Sequence, residues 1–481
     1  MSEFPQVNAI SRRDALKNLA CGFGYLAASG IAQQAAAASV PNPLSPKLPH
    51  FEPKAKRVIF LFMAGGVSQV DSFDYKPQLE KEHGLRRDFS DPRIMSRSGT
   101  QSTQRVMKSL WEFKQRGQSG AWVSDLFPNL ANHVDDMCII RSMHTTGVAH
   151  GPTTLFLHTG ANNFIRPSVG SWVNYGLGTE NQDMPGFVSL CPSLTNGGPR
   201  NYSNAFLPAA YQGTAIGRAG MKATELSIEN VHNHMLSPER QRRQFELLQA
   251  VNQEQAQSLP GNTELEAVIN SYELAWRMQA NAPEVLDISK ESAATKKLYG
   301  IDEKRTDNFG RQCLMARRMA ESGVRYIQVN YAHKYDNVEN PSWDQHNDMP
   351  KHKIHATAVD KPIAGLLSDL KQRGLLDDTI VWWCGEFGRT PYAQAGGTGR
   401  DHNPEGFTTW LAGGGFSPGM VYGSTDEYGL AAVENPVHMH DLHATILNQL
   451  GLDHKKLTYR HEGRDFRLTD VFGNVVHDVI A

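Results

Sequence analysis

The sequence contains little cysteine, little net charge and no long apolar run. It has five cysteines in 481 residues, and Cys138 and Cys384 lie in apolar runs, which favours buried thiols over a disulfide framework or a cysteine-based zinc site. Its 48 basic and 50 acidic residues nearly cancel, so we expect no nucleic-acid partner. No stretch beyond the N-terminal segment reaches the roughly 18 apolar residues of a membrane helix, so we expect no stable membrane span.

Glycine, proline and histidine, by contrast, are frequent. The 42 glycines and 25 prolines exclude a coiled coil and indicate many loops. The 19 histidines direct attention to metal binding, because histidine titrates near neutrality and is the commonest metal ligand.

Residues 1–38 have the features of an export signal. Two arginines at positions 12–13 precede a mildly apolar segment, residues 19–32, and a stretch of alanines, which is typical of a signal peptide. The arginine pair is similar to a twin-arginine signal, although Ala15 stands where that signal has a large apolar residue. We therefore expect the twin-arginine export machinery to deliver the protein to the periplasm or another extracytoplasmic compartment. A disordered or helical arm on a cytosolic protein is the alternative.

After a proline-rich linker at residues 39–56, residues 57–481 show the pattern of an α/β protein. Five short apolar runs predict buried strands, namely residues 57–63, 137–143, 324–330, 379–384 and 407–412. Residues 308–322 and 354–373 show helical spacing between them. The alternation predicts a three-layer α/β/α sandwich with a mostly parallel central sheet. We interpret residues 196–300 as a helical insertion, or lid, that covers the functional site.

Polar clusters follow the predicted strands, where sheets of this kind bind their ligands. The candidate side chains are Asp71, His150, Thr153, Asp344, His346, Glu386, Arg389, Asp401 and His402. Because parallel strands bring their carboxyl ends to one edge of a sheet, we expect these groups to approach one another. Mixed histidine and carboxylate ligands suit zinc, manganese or iron better than an oxygen-only calcium cage.

Each cluster also has a purely structural interpretation. Asp344 and His346 could form a turn in which the aspartate is a cap, and Asp401 could belong to a surface loop. Glu386 follows a buried strand, where an unpaired carboxylate would be costly. A structural ion pair between Glu386 and Arg389 is therefore the strongest alternative to a metal site.

Several motifs along the chain are specific when they are taken together. They are Gly65-Gly66-x-Ser68-Gln69-x-Asp71-Ser72-Phe73-Asp74, His150-Gly151-Pro152, Trp343-Asp344-x-His346, Gly385-Glu386-Phe387-Gly388-Arg389-Thr390-Pro391 and Gly399-Arg400-Asp401-His402. This set resembles an exported bacterial family known as domain of unknown function 1501 (DUF1501). That family is similar to a remote branch of the alkaline phosphatase and sulfatase superfamily. The resemblance implies an alkaline phosphatase-like α/β/α sandwich with a divalent-metal site that cleaves phosphate or sulfate esters.

The resemblance also places a histidine where the superfamily has its nucleophile. Residues 150–160 have the length, the proline and the closing Thr-Gly of the sulfatase nucleophile signature, but His150 occupies the nucleophile position. The usual serine, threonine or cysteine nucleophile is therefore missing there. His150 would be a metal ligand or a general base, and the nearby hydroxyl of Thr153 could replace the lost nucleophile.

The implied metal ligands match the superfamily in part. Asp344 and His346 resemble ligands of its first metal site, and His402 resembles the histidine that completes that site. Gly65-Gly66 stands where paired aspartates are expected, with Asp71 a few residues later. Further candidate ligands are Glu386 and Asp401. A one-metal centre is thus better supported than two.

These features lead to the hypothesis of a metal-dependent hydrolase outside the cytoplasm. A divalent ion, zinc, manganese or calcium, would polarise the ester and lower the pKa of bound water, and Arg389 would clamp the anion. The substrate would be a small molecule or polysaccharide that carries a sulfate or phosphate ester. A non-catalytic glycan- or ligand-binding exported protein on the same scaffold is the alternative, since a decayed enzyme would have lost its nucleophile. A structural protein of the cell surface is a third reading.

Overall fold

The computed structural model describes residues 43–89, 103–226, 236–258, 263–332, 342–394 and 397–481. The chain divides into the units Met1–Asn42 and Pro43–Ala481. The first unit, with the predicted signal at residues 1–38, lies outside the described residues. Of the helices described in the second unit, none is long and apolar enough to cross a membrane.

Both types of secondary structure occur along the described chain. The helices are α1 (Pro77–Lys81), α2 (His150–Thr159), α3 (Val169–Leu177), α4 (Pro238–Ser258), α5 (Thr263–Leu286), α6 (Ala293–Leu298), α7 (Asp307–Glu321), α8 (His352–Gln372) and α9 (Met439–Gln449). The strands are β1 (Arg57–Met63), β2 (Arg86–Asp88), β3 (Thr103–Val106), β4 (Phe113–Arg116), β5 (Ala121–Ser124), β6 (Met137–His144), β7 (Phe187–Leu190), β8 (Thr214–Ile216), β9 (Tyr326–Tyr331), β10 (Thr379–Cys384), β11 (Gly388–Ala393), β12 (Arg400–Asn403), β13 (Phe407–Ala412), β14 (Met420–Tyr422), β15 (Ser424–Thr425), β16 (Ala432–Glu434), β17 (Val437–His438), β18 (Tyr459–His461) and β19 (Arg464–Phe466). The five predicted strands and two predicted helices are all present.

A nine-stranded central sheet organises the domain. Its order is β14-β6-β13-β10-β1-β9-β7-β8, and β17 also pairs with β6. Strand β13 runs antiparallel to its neighbours β10 and β6, whereas the other pairings in this sheet are parallel. The prediction of a mostly parallel sheet is confirmed.

Helices cover both faces of this sheet. Every residue of β1 is buried, and successive side chains of a strand point to opposite faces. Ile59 and Leu61 pack into a core with residues of α7 and α8, whereas Val58 and Phe60 pack into a second core with residues of α2, α3 and α9. The predicted three-layer α/β/α sandwich is therefore confirmed. The cysteines of the described residues are buried and free, as expected: Cys138, Cys191, Cys313 and Cys384.

A smaller four-stranded sheet, β12-β11-β3-β2, begins just beyond the carboxyl end of β10. Strands β11 and β12 are antiparallel, and Arg389 lies opposite His402 in their register. This hairpin brings two candidate site residues to the edge of the central sheet.

The predicted linker and the predicted insertion both contact the α/β domain. In the predicted linker, Leu44 and Ala55 are buried, and the Ala55 amide donates to the carbonyl of Gln449 at 2.9 Å. The predicted insertion, residues 196–300, contains α4, α5 and α6. It also contains β8, which adds an edge strand to the central sheet.

Candidate metal centre

Four side chains converge beyond the carboxyl ends of the central strands. His150 is the first residue of α2, which follows β6; Asp344 and His346 lie between β9 and α8; and His402 lies in β12. One potential ligand atom from each of these residues lies within 4.8 Å of the others. Within the described ranges, no second group of three or more histidine, cysteine or acidic residues meets this spacing. We call these four residues the metal-ligand cluster.

One carboxylate oxygen stands at the centre of the cluster. Asp344 Oδ1 lies 2.8 Å from His346 Nε2, 3.2 Å from His150 Nε2 and 3.4 Å from His402 Nε2. His346 Nε2 and His402 Nε2 are 3.0 Å apart. Three imidazole nitrogens therefore face a single oxygen, which is the mixed donor set of zinc and related ions.

The opposite ring nitrogen of each histidine is held by an acceptor. His150 Nδ1 lies 2.5 Å from Glu386 Oε1, His402 Nδ1 lies 2.6 Å from the Val148 carbonyl, and His346 Nδ1 lies 2.5 Å from the Gln394 side-chain oxygen. Since these oxygens accept hydrogen bonds, each Nδ1 carries a proton, and each ring is held with its Nε2 directed to the cluster. This arrangement orients histidines for metal binding in proteins.

The electrostatics of the cluster favour a positive charge at its centre. Burial alone would raise the pKa of Asp344, but hydrogen bonds from the three histidines and the charge of Arg389 hold that pKa far below its ordinary value. Burial lowers the pKa of His150, yet the hydrogen bonds to Asp344 and Glu386 outweigh burial and raise it to about 9. Burial lowers the pKa of His402 to about 4, so this ring is neutral near pH 7, whereas His150 carries a proton that a bound metal ion would displace.

Glu386, a predicted ligand, contacts the cluster through His150. Its carboxylate is buried and accepts hydrogen bonds from the Gly65 amide at 2.9 and 3.0 Å. Burial would raise the pKa of Glu386, but the hydrogen bond and charge of His150 keep it below the ordinary value. Arg389 pairs with Asp344 and not with Glu386. The alternative of a Glu386–Arg389 ion pair is therefore not what the structure shows.

Arg389, the predicted anion clamp, is fully buried. Its Nε donates to the Gly66 carbonyl at 3.0 Å, its Nη1 to the Arg400 carbonyl at 3.1 Å, and its Nη2 to Asp344 Oδ1 at 2.7 Å. The guanidinium thus binds the protein itself. This geometry suits the positioning of Asp344 better than contact with a substrate anion.

The remaining candidates lie outside the metal-ligand cluster. Asp401 Oδ1 accepts from the His402 amide at 2.8 Å and lies 3.7 Å from His346 Nδ1. Asp71 is buried in an ion pair with Arg400, with Oδ2 2.7 Å from Nε. The Thr153 hydroxyl donates to the Ala149 carbonyl at 2.8 Å. Each of these side chains therefore contacts another group of the protein, and none of them belongs to the metal-ligand cluster.

Sequence reasoning missed two of the groups that hold the histidines. Gln394 follows β11 without any motif, and Val148 contributes only its backbone carbonyl. The pair Gly65-Gly66 could have indicated a close backbone approach beside the metal-ligand cluster. Gly65 has φ +116°, and a Cβ atom there would lie 2.6 Å from the Asp344 amide nitrogen. Glycine is required at this position because the loop after β1 passes directly against the segment that carries Asp344.

The chain is similar to one protein family over most of its length. Residues 55–480 match the family described as "Protein of unknown function (DUF1501)". A search of curated proteins finds no match.

Several solved structures align over most of the chain. The protein Ps i-CgsB in complex with k-i-k-neocarrahexaose has 13% identity and a TM-score of 0.37, over 82% of this chain and 72% of that one. The PsFucS1 sulfatase from Pseudoalteromonas sp. has 13% identity and a TM-score of 0.34, over 83% and 68%. A protein in the alkaline phosphatase superfamily from Vibrio parahaemolyticus has 11% identity and a TM-score of 0.35, over 86% and 71%.

Proposed function

The chain belongs to the DUF1501 family, and from its metal-ligand cluster we propose that it is a metal-dependent hydrolase of sulfate or phosphate esters. The observation that carries the proposal is the convergence of three anchored imidazoles on Asp344 Oδ1. The three Nε2 atoms and Asp344 Oδ1 together form the mixed nitrogen and oxygen donor set that a divalent cation binds.

The proposed ligands are His150, Asp344, His346 and His402. Three nitrogens and one carboxylate suit zinc or manganese, whereas calcium, the third predicted metal, prefers oxygen ligands. When bound, the ion would supply Lewis-acid polarisation of the ester and a lowered pKa for water.

The protein's own residues orient these groups. Glu386 fixes the His150 ring through Nδ1, and Arg389 holds Asp344 through Nη2. The Thr153 hydroxyl is directed to a helix carbonyl, which disfavours it as a nucleophile. We therefore propose that water attacks the ester, with His150 as a ligand and not as a covalent nucleophile.

We also propose that the protein acts outside the cytoplasm. The support is the arginine pair and apolar segment within residues 1–38, which lie outside the described residues. An extracytoplasmic hydrolase would meet esters of small molecules or polysaccharides from the environment.

The proposal is tested on the purified full chain by metal analysis and by hydrolysis of 4-nitrophenyl sulfate and 4-nitrophenyl phosphate, with and without a chelator. We expect about one metal ion per chain and turnover that the chelator abolishes. His346→Ala combined with His402→Ala should lose both metal and turnover, whereas the exposed control His477→Ala should keep both. Metal content that the double substitution leaves unchanged would reject this ligand set.

A second candidate function is non-catalytic ligand binding on the same scaffold. The observation that favours it is that the cluster offers four protein ligands, the number that closes a tetrahedral structural zinc site, whereas catalytic zinc sites keep a position open. Bound metal without turnover of either ester would support this candidate over hydrolysis.

A further inference from the structure

Helix α4 turns its apolar side chains to the outside of the domain. Leu247, Leu248 and Val251 are 67%, 38% and 53% exposed. They lie at positions i, i+1 and i+4 and therefore form one continuous face of the helix. A surface helix normally buries such a face against its own domain. The exposure of this face therefore indicates a contact with another molecule.

The opposite face of α4 packs on α5. The Phe245 ring stacks on Trp276 of α5, with ring centroids 5.2 Å apart, and Gln249 and Asn252 are buried. Because these α4 residues lie at positions i, i+4 and i+7, they share the face that is turned to α5. The apolar face around Leu247 is thus not used by the contact that holds α4 on the domain.

Charged residues extend the apolar face at both ends, and their signs differ. Arg240 and Arg243 come before the apolar residues and Glu254 comes after them, and all three are exposed. Three- and four-residue steps connect these positions with the apolar ones, so all of them share one side of the helix. We call this set the outer stripe: Arg240, Arg243, Leu247, Leu248, Val251 and Glu254.

The two inner charges of the outer stripe have no ion-pair partner within the described chain. The ion pair that α4 makes there joins Arg242 to Glu246, with Nε 3.0 Å from Oε1. Arg243 and Glu254 remain available for charges on a partner. A partner that fits must therefore present an acidic group, an apolar centre and a basic group in that order.

The outer stripe of a second copy presents this order when the two helices run antiparallel. Leu248 lies ten residues from each end of Pro238–Ser258, Arg243 lies five residues before Leu248, and Glu254 lies six residues after it. A twofold axis near Leu248 therefore brings the apolar centres together and places Arg243 of each copy against Glu254 of the other. The opposed helix dipoles also attract each other. One surface complements itself, as a twofold dimer requires.

We propose that α4 is a dimerisation helix, whose outer stripe packs antiparallel on the outer stripe of a second copy of this chain. The helix is about 31 Å long at 1.5 Å per residue, and one pair of helices makes a small interface. We therefore expect a dimer that forms at micromolar concentrations. The dimer does not depend on the function proposed above, because no residue of the metal-ligand cluster lies on α4. Part of the predicted lid thus serves assembly.

The test is sedimentation velocity of the purified full chain over a range of about 1–200 µM, where a micromolar dimer dissociates. Leu247→Glu places a charge in the apolar centre of both copies at once. It should weaken association at least about 100-fold and leave the melting temperature unchanged, because the side chain is exposed. Val471→Glu is the matched control, since Val471 is 68% exposed and lies outside α4, and it should leave association unchanged.

The charges of the outer stripe test the antiparallel arrangement. Arg243→Glu makes two glutamates face each other, and Glu254→Arg makes two arginines face each other. Each substitution should weaken association by about five- to tenfold. The variant that combines both should recover the affinity of the natural chain. In a parallel pair, residue 243 would face its own counterpart, so this pattern of loss and recovery would not occur.

These variants also keep the test available if Leu247→Glu does not fold. All of them should keep the metal content of the natural chain, because α4 contributes no ligand. A natural chain that stays monomeric throughout the concentration range would overturn the proposal, and so would a dimer that Leu247→Glu leaves intact. A combined variant as weak as the two single ones would overturn the antiparallel arrangement.

Discussion

Three histidines of the metal-ligand cluster are held by three different acceptors: a carboxylate, a backbone carbonyl and a side-chain amide. Of these, Glu386 is the one charged acceptor, and it is buried. Its negative charge makes the His150 ring more basic and therefore a stronger ligand. Metal affinity should thus depend on a residue that does not itself belong to the cluster.

Glu386→Gln is expected to weaken metal binding by about 10- to 100-fold, the usual effect of losing a group that orients a metal ligand. The amide keeps the size of the side chain but removes the charge that faces His150 Nδ1. The measurement is the zinc dissociation constant from competition with a chromophoric chelator. Glu427→Gln, at an exposed position, is the matched control. An affinity within twofold of the natural chain would show that Glu386 does not support the cluster.

The candidate residues could be chosen from the sequence, but their roles could not. Asp344, His346 and His402 were predicted as ligands, and the structure brings them together with His150. Glu386 follows a buried strand. A metal ligand and a carboxylate that orients a ligand would both be expected at such a position, so the sequence does not distinguish the two roles. For Asp71, spacing after β1 gave no indication that its partner is Arg400, 329 residues away. Such distinctions depend on side-chain direction and on long-range pairing.

The loop after β1 is the element on which the geometry of the cluster most depends. Gly65 lies in the left-handed region of φ and packs directly on the backbone of Trp343 and Asp344. Its amide also donates to Glu386. One glycine thus fixes the distance between β1, the segment of Asp344 and the carboxylate that holds His150.

Gly65→Ala should lower the free energy of unfolding by about 3 kcal/mol, since it adds a steric clash to the cost of an unfavourable φ. Gly84→Ala is a matched control, because Gly84 also has positive φ, +87°, but a Cβ there meets nothing within 4 Å. That control should cost only about 1 kcal/mol. Urea unfolding measures both, and equal losses for the two variants would contradict the close approach at Gly65.

Helices α2 and α9 are joined by buried histidines that make stability depend on pH. His443 of α9 contacts the Leu157 carbonyl of α2 at 2.8 Å. Burial lowers the pKa of His443 to about 3, whereas the unfolded chain binds the proton near pH 6.5. Protonation therefore favours unfolding, and stability should fall as pH decreases from about 6.5 towards 3.

His443→Gln keeps a donor for the Leu157 carbonyl and removes the titrating group. Between pH 7 and pH 5, the free energy of unfolding of this variant should fall by about 2 kcal/mol less than that of the natural chain. This difference is the free energy that one buried, neutral histidine costs the folded state at pH 5. Urea unfolding at the two pH values gives this difference. The exposed control His477→Gln should follow the natural chain, and an unchanged pH dependence in His443→Gln would refute the assignment.

Elements with continuous apolar character were predictable. The predicted bounds of β1, β10 and β13 match those observed, because these strands are buried on both faces and contain few polar residues. The β11–β12 hairpin was not predicted. Its residues are polar and many are buried by contacts with the loop after β1, so no hydrophobic period marks it.

At the scale of the whole molecule, the proposed twin-arginine signal makes a prediction about location. Arg12→Lys combined with Arg13→Lys should keep the protein in the cytoplasm of an expressing bacterium, whereas the natural chain should reach the periplasm, since the export machinery reads the arginine pair. Cell fractionation and immunoblotting measure both. Periplasmic protein in the double variant would exclude this export route.

The family and the α/β/α sandwich followed from the sequence because motifs and apolar runs cover the chain from end to end. The sequence did not show the cavity lined by residues 62, 64, 154, 192–196, 201, 218–219, 328, 330 and 332, because no motif groups these segments together. The whole fold is needed to assemble it.

The central claim is that the three histidines and Asp344 hold one divalent cation. The most direct measurement is a crystal structure of the full chain grown with zinc or manganese, with diffraction collected on both sides of the metal absorption edge. We predict a single anomalous peak at about 2.0–2.2 Å from the Nε2 atoms of His150, His346 and His402 and from Asp344. Metal-loaded crystals without a peak at this position, or with the peak elsewhere, would contradict the account.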